Sequence, residues 1–217
     1  MLSRAIRPDG FLPEILSVAN AGWSSVGVRT RANDVVMEWA AAAPSELAGL
    51  RVTAVARPST REHAWSWTLR VAVPNHLSVL SAAFPQIGLA EPRQGGSVLY
   101  PNGPGVLYPA AWSQPLNQRS LYPNGWCTMQ FMAAYGTGSG LYFGLHDRNG
   151  GAKEIVCESH PSSRTVHLAY DVPAPNRTRG GNGFASPGQA VMRLLRGDWF
   201  DAARIYRDWA QREARWW

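Results

Sequence analysis

This chain of 217 residues is 45% hydrophobic and 17% charged, which places it among globular proteins long enough to bury a core of their own. Its net charge of +6 raises the question of nucleic-acid or membrane-surface binding. The charge comes almost entirely from scattered arginines, Lys153 being the sole lysine, and no basic run, recognition helix or RNA-binding signature accompanies it, so no nucleic-acid partner is expected.

The first 33 residues give no clear element. They hold Pro8, Asp9 and Gly10 and no long apolar run, so neither a signal peptide nor a membrane span is read there. A cytoplasmic chain with no membrane partner is the expectation if that start is the natural one. From Asp34 onward the pattern has period two. Strands are predicted over 34–40 and 50–57. The clearest is 64–73, where Trp65, Trp67, Leu69, Val71 and Val73 alternate with Ser66, Thr68, Arg70 and Ala72. A short apolar run over 77–84 is ended by Pro85. Residues 88–118 read as loop, rich in Pro and Gly.

The next stretch carries the strongest signal. Met129, Phe131, Ala133 and Tyr135 share one side of a first segment; Leu141, Phe143 and Leu145 share one side of a second. Gly136-Thr-Gly-Ser-Gly140 joins them as a hairpin turn able to take positive φ. His146-Asp147-Arg148-Asn149-Gly150-Gly151 follows as a second, polar turn. Strands over 153–158 and 165–171 continue the pattern, and 171–188 is irregular. Many short strands between Gly, Pro and Asn turns predict an all-β fold, an antiparallel β-sandwich over 34–195.

The period then changes. Asp198 can cap a helix over 198–215, with Asp201 favouring its positive end. Trp199, Ala202, Ala203, Tyr206 and Trp209 or Ala210 fall on one face, and Arg204 is spaced to pair with Asp208. Trp216-Trp217 must dock either on the sandwich or on something further along a longer chain. Cys127 and Cys157 share parity with apolar neighbours. Two buried thiols or a cross-strand disulfide both fit.

Several pieces, taken in order, resemble a known family. They are Trp65-Ser-Trp67 with Val73-Pro74-Asn75, Ala83-Phe84-Pro85, and Tyr122-Pro123 leading to Met129-Gln130-Phe131-Met132. Gly140-Leu-Tyr-Phe-Gly-Leu-His146-Asp147 up to Lys153-Glu154 follows, then Gly197-Asp198-Trp199 with Ala202-Ala203, Tyr206-Arg207 and Trp209-Ala210. From about Asp34 to its end the chain resembles the N-terminal β-sandwich region of a poorly characterised group of glycoside hydrolase-like proteins. In those enzymes the sandwich precedes a (β/α)8 barrel that carries the catalytic carboxylates. The resemblance implies that this chain stops before the barrel, that residues 196–217 lead toward it, and that the chain alone is inactive as a hydrolase. It assigns no catalytic residue, no metal and no cofactor. The implied partners are carbohydrate and the missing barrel.

Two sets of side chains suit carbohydrate. His146 and Asp147, with Lys153 and Glu154 across the turn, could hydrogen-bond substrate hydroxyls at a barrel mouth; alternatively Asp147 and Asn149 merely shape the turn and Lys153 pairs on the surface. Trp112, Tyr122 and Trp126, read as loop aromatics, could stack on sugar faces in a stand-alone binding module. The candidate substrate-binding residues are therefore His146, Asp147, Lys153, Trp112, Tyr122 and Trp126. A third possibility is a mutarotase-like enzyme using a histidine and a carboxylate. The histidines at 63, 76, 146, 160 and 167 and the acids Glu38, Glu154 and Glu158 show no spacing that selects a pair.

Overall fold

The computed structural model describes residues 2–4, 15–16, 22–43 and 45–217. The first strands are β1 (Leu2–Arg4), β2 (Ile15–Leu16), β3 (Gly22–Arg31), β4 (Asp34–Ala43), β5 (Arg51–Ser59), β6 (Ala64–Ala72) and β7 (Leu77–Val79). They are followed by β8 (Ser81–Ala90), β9 (Ser97–Tyr100), β10 (Val106–Pro109), β11 (Asn117–Tyr122), β12 (Phe131–Tyr135) and β13 (Ser139–His146). The last elements are β14 (Lys153–His160), β15 (Thr165–Pro173), β16 (Phe184–Ala185), β17 (Gln189–Arg196) and the helix α1 (Trp199–Glu213). The all-β, antiparallel sandwich expected from the period-two pattern is the architecture observed.

The strands belong to two compact units. The first comprises residues 1–57, 67–83 and 172–186. In it β3, β4, β5 and most of β6 form an antiparallel sheet, and β1 pairs with β2 and β7. The alternation read in 64–73 holds for Trp67, Leu69 and Val71, which are half-buried while Thr68, Arg70 and Ala72 are exposed; Trp65 breaks it at 41% exposure. β3 was not foreseen. All ten of its residues are exposed, so no apolar alternation marks it, yet it pairs with β4 from Gly22–Ala43 to Arg31–Asp34 across an Ala32-Asn33 turn.

The second unit comprises residues 58–66, 84–171 and 187–217. Here two sheets face one another: β10-β9-β12-β13-β17, and β11-β14-β15-β8. Residues pointing inward from both sheets make the core. The Phe143 and Tyr170 rings lie 5.3 Å apart, the Tyr170 hydroxyl donates to the carbonyls of Phe143 and Gln130, and the Tyr100 hydroxyl donates to that of Ile155 at 2.8 Å. The Tyr100 and Tyr170 phenols thus keep partners, and each large side chain so buried contributes about 1.5–3 kcal/mol.

Two local readings are corrected, and one left open is decided. Residues 88–118 are not loop throughout: β8 runs past Pro85 to Ala90, and Val98-Leu-Tyr100 pairs with Val106-Leu-Tyr108 as β9 and β10. The strands are only four residues long, and their Pro and Gly turns dominate the composition. Asp201, not Asp208, is the partner of Arg204, at 3.9 Å, while Asp208 is taken by Arg207 at 3.0 Å. Cys127 and Cys157 are buried free thiols; burial pushes the Cys157 thiol up to about 12, so it stays protonated and inert.

Helix α1 begins as its sequence specifies. The Asp198 carboxylate accepts from the Phe200 N–H at 2.9 Å, and Asp201 returns a bond to the Asp198 N–H at 3.3 Å, a reciprocal cap. Gly197, at φ +115°, makes the turn into it, and a side chain there would strike the Asp201 carboxylate. Ala202, Tyr206, Trp209 and Ala210 are buried in one cluster with Leu99, Phe131, Ala133, Tyr142 and Leu195 of β9, β12, β13 and β17. Trp199 and Phe200 stay 42% and 55% exposed.

Candidate functional site

The polar turn after β13 is held from below, from its flank and from the C-terminal segment. Asp147 is only 1% exposed. Its Oδ1 accepts from the Asn149 N–H at 2.9 Å and its Oδ2 from the Gly151 N–H at 2.8 Å, so one carboxylate folds the whole turn. Lys153, at the start of β14, is fully buried. Its ammonium donates to Gln130 Oε1 at 2.7 Å and to the Gly151 carbonyl at 2.6 Å, lies 3.5 Å from Asp147 Oδ2, and sits 4.7 Å above the Tyr122 ring. Gln130 in turn donates to the Asp147 carbonyl at 3.0 Å. Burial pushes the Lys153 pKa down to about 8 against the opposing pull of Asp147.

His146 belongs to a second layer. Its Nε2 lies 2.7 Å from the Tyr142 hydroxyl, and its ring stacks on Trp209 at 4.4 Å. Burial first, and the Arg212 charge second, push its pKa down to about 3, so the ring is neutral across the physiological range. Phe131 stacks between Tyr142 and Tyr206, at 5.2 and 5.1 Å, and joins this layer to α1. Beyond the helix the chain returns to the turn. The Arg215 N–H donates to the Arg148 carbonyl at 2.9 Å, its guanidinium to Asn149 Oδ1 at 3.1 Å, and the Trp216 ring lies beside Gly150, where a Cβ would come within 2.9 Å of it. Gly150 adopts φ +66° at this close approach.

The sequence-derived candidates separate accordingly. Asp147 and Lys153 come together under the turn with Tyr122, which is 5% exposed, whereas His146 packs against Tyr142 and Trp209. Glu154 points to the opposite face, where Arg119 bridges it at 2.8 Å and Glu158 at 3.0 Å. Trp112 is 1% exposed, and its indole N–H donates to the Leu89 carbonyl at 2.8 Å. Trp126 alone of the three aromatics stands out, at 75% exposure. Gln130, Tyr142 and Trp209 complete the knot and were not singled out as site residues; a glutamine amid the apolar run 129–134 was the one available signal. Among the described residues no group of three His, Cys, Asp or Glu side chains is placed to hold a metal, and no helix is long and apolar enough to cross a membrane.

Comparison with known proteins shows what this β-sandwich is similar to. No protein-family model matches the chain. It is 31% identical over 168 residues to "Putative glycoside hydrolase 22789" of Monosiga brevicollis, a match spanning 70% of this chain and 13% of that protein. Among solved structures it resembles the alpha-N-acetylgalactosaminidase NagBb of Bifidobacterium bifidum, in its GalNAc complex, with a TM-score of 0.63 at 12% identity over 98% of this chain and 34% of that one. It likewise resembles the GH36 alpha-galactosidase AgaA of Geobacillus stearothermophilus, with a TM-score of 0.58 at 12% identity over 89% of this chain and 30% of that enzyme. The chain therefore spans about a third or less of each of these proteins.

Proposed function

We propose that this chain is the non-catalytic β-sandwich part of a carbohydrate-active enzyme, and that it braces a (β/α)8 barrel and lends the 147–151 turn to the rim of the barrel's active site. The observation that carries this reading is the pair of coverage shares, 13% of the M. brevicollis protein and 30% of the AgaA alpha-galactosidase, beside a match over most of this chain. The exposed Trp199 and Phe200 at the start of α1 suit a buried contact with such a barrel. At the rim, Asp147 and Lys153 act through the turn they hold, and Arg148 and Asn149, both exposed, are the groups that reach sugar hydroxyls.

Reading the transcript past Trp217 tests the first half. An open frame encoding a barrel with paired carboxylates is expected; a stop at that point in an intact gene would overturn it. Arg148→Ala in the parent enzyme tests the second half. A severalfold rise in KM is expected, and unchanged kcat and KM would remove the rim role. The 75% exposure of Trp126 favours a second reading, a carbohydrate-binding module acting by ring stacking. It requires an oligosaccharide to quench tryptophan fluorescence in the wild type and not in Trp126→Ala.

A further inference from the structure

Among the described residues, β3 is the edge of the sheet β6-β5-β4-β3 in the first unit, and no strand pairs with its outer side. It is ten residues long with every residue exposed, including Val26 at 61% and Val28 at 67%. Soluble proteins usually protect such an edge with Lys, Pro or a mid-strand bulge, because its free N–H and C=O groups recruit another strand. Here the irregular register lies only at the Gly22–Ser25 end, and the pairing from Ser25 to Arg31 is regular. The centre, Ser25-Val-Gly-Val-Arg29, carries no charge in its middle three positions.

We propose that β3 pairs antiparallel with β3 of a second copy of this chain, about a two-fold axis through Gly27, making a continuous sheet across the dimer. The segment is complementary to itself in this one register. Val26 then faces Val28 of the other copy, twice by symmetry, and Ser25 faces Arg29, so no arginine meets an arginine. Shifting the register by two residues one way puts Val26 against Thr30 and Gly27 against Arg29. Shifting it the other way puts Val28 against Ser24. Arg29 is already neutralised within its own chain by Glu38 at 3.1 Å, which lowers the repulsion between two chains of net charge +6. At the axis, a Cβ on Gly27 would meet nothing within 4 Å, so a side chain can be placed there without disturbing its own chain.

That space also supplies the test. Gly27→Cys should oxidise to a covalent dimer, since directly opposed residues in an antiparallel pair lie about 4.5–5.5 Å apart. Arg31→Cys should not, because its copy would lie eight residues away along the strand, ~26 Å. The native thiols are buried, and the oxidised wild type reports any background they contribute. Light scattering should give a dimer for the wild type and a monomer for the double variant V26K/V28K, with unchanged circular dichroism. A monomeric wild type, a dimer in which Gly27→Cys fails to cross-link, or equal cross-linking at positions 27 and 31 would each overturn the proposal.

Discussion

Lys153 and Asp147 are a buried ion pair whose worth lies in what happens when one partner goes. The ammonium has three acceptors around it, and the carboxylate has two backbone N–H donors as well as the ammonium. Asp147→Ala removes the acceptor of two turn N–H groups and leaves a buried charge less compensated. A loss of about 3–5 kcal/mol is expected in urea unfolding; a loss under about 1 kcal/mol would mean that the turn is not held by this residue. His146 contributes an acid-side pH dependence to the stability of the fold. Its folded pKa lies below the unfolded value, so the unfolded state binds the proton first. The contribution of His146 is therefore full above pH 6.5 and falls as the pH drops from 6.5 toward 3. Thermal melts of the wild type should decline through this window, whereas His146→Phe, which can keep the stack on Trp209, should flatten the decline between pH 6.5 and 4.5.

At the level of elements, the helix start and the hairpins divide into what the sequence makes visible and what it hides. The Asp198–Asp201 cap was legible because a capping box is local, and replacing Asp198 by Ala should cost about 1 kcal/mol. Gly197→Ala should cost at least as much, since it adds a left-handed alanine and a collision with the Asp201 carboxylate. Denaturant midpoints of the two variants check this; an unchanged midpoint for Gly197→Ala would contradict it. β15, with one buried face, announced itself through alternation, whereas β12 and β13 are buried on both faces and were legible as apolar segments between glycine turns. β3 has no buried face, and β9 and β10 are too short to show a period. The turn at 146–151 was legible from Asp, Asn and paired glycines. Its supports were not: Gln130 reaches Lys153 across 23 positions, and Arg215 reaches Asn149 across 66. Contacts of that range depend on the sheet register, which no local pattern encodes.

For the molecule as a whole, the sandwich, the knot beneath the polar turn and the aromatic start of α1 are the features that the proposed function joins into one role, a platform for a catalytic barrel. Two exposed aromatic groups make different demands. If Trp199 and Phe200 meet a barrel, Trp199→Ala with Phe200→Ala should weaken association with the separately produced downstream polypeptide at least tenfold, measured by calorimetry, and leave the melting point of this chain within a few degrees of wild type. If the chain worked alone, Trp126 would be its binding surface and the helix variants would not affect sugar binding. The most direct measurement is hydrolysis of a panel of aryl glycosides by three samples: this chain, the barrel polypeptide that the proposed function places after it, and the two combined. The platform account predicts no release by the chain alone, little by the downstream polypeptide alone, and full activity when they are combined. Hydrolysis by the chain alone, or a downstream polypeptide equally active without it, would contradict it.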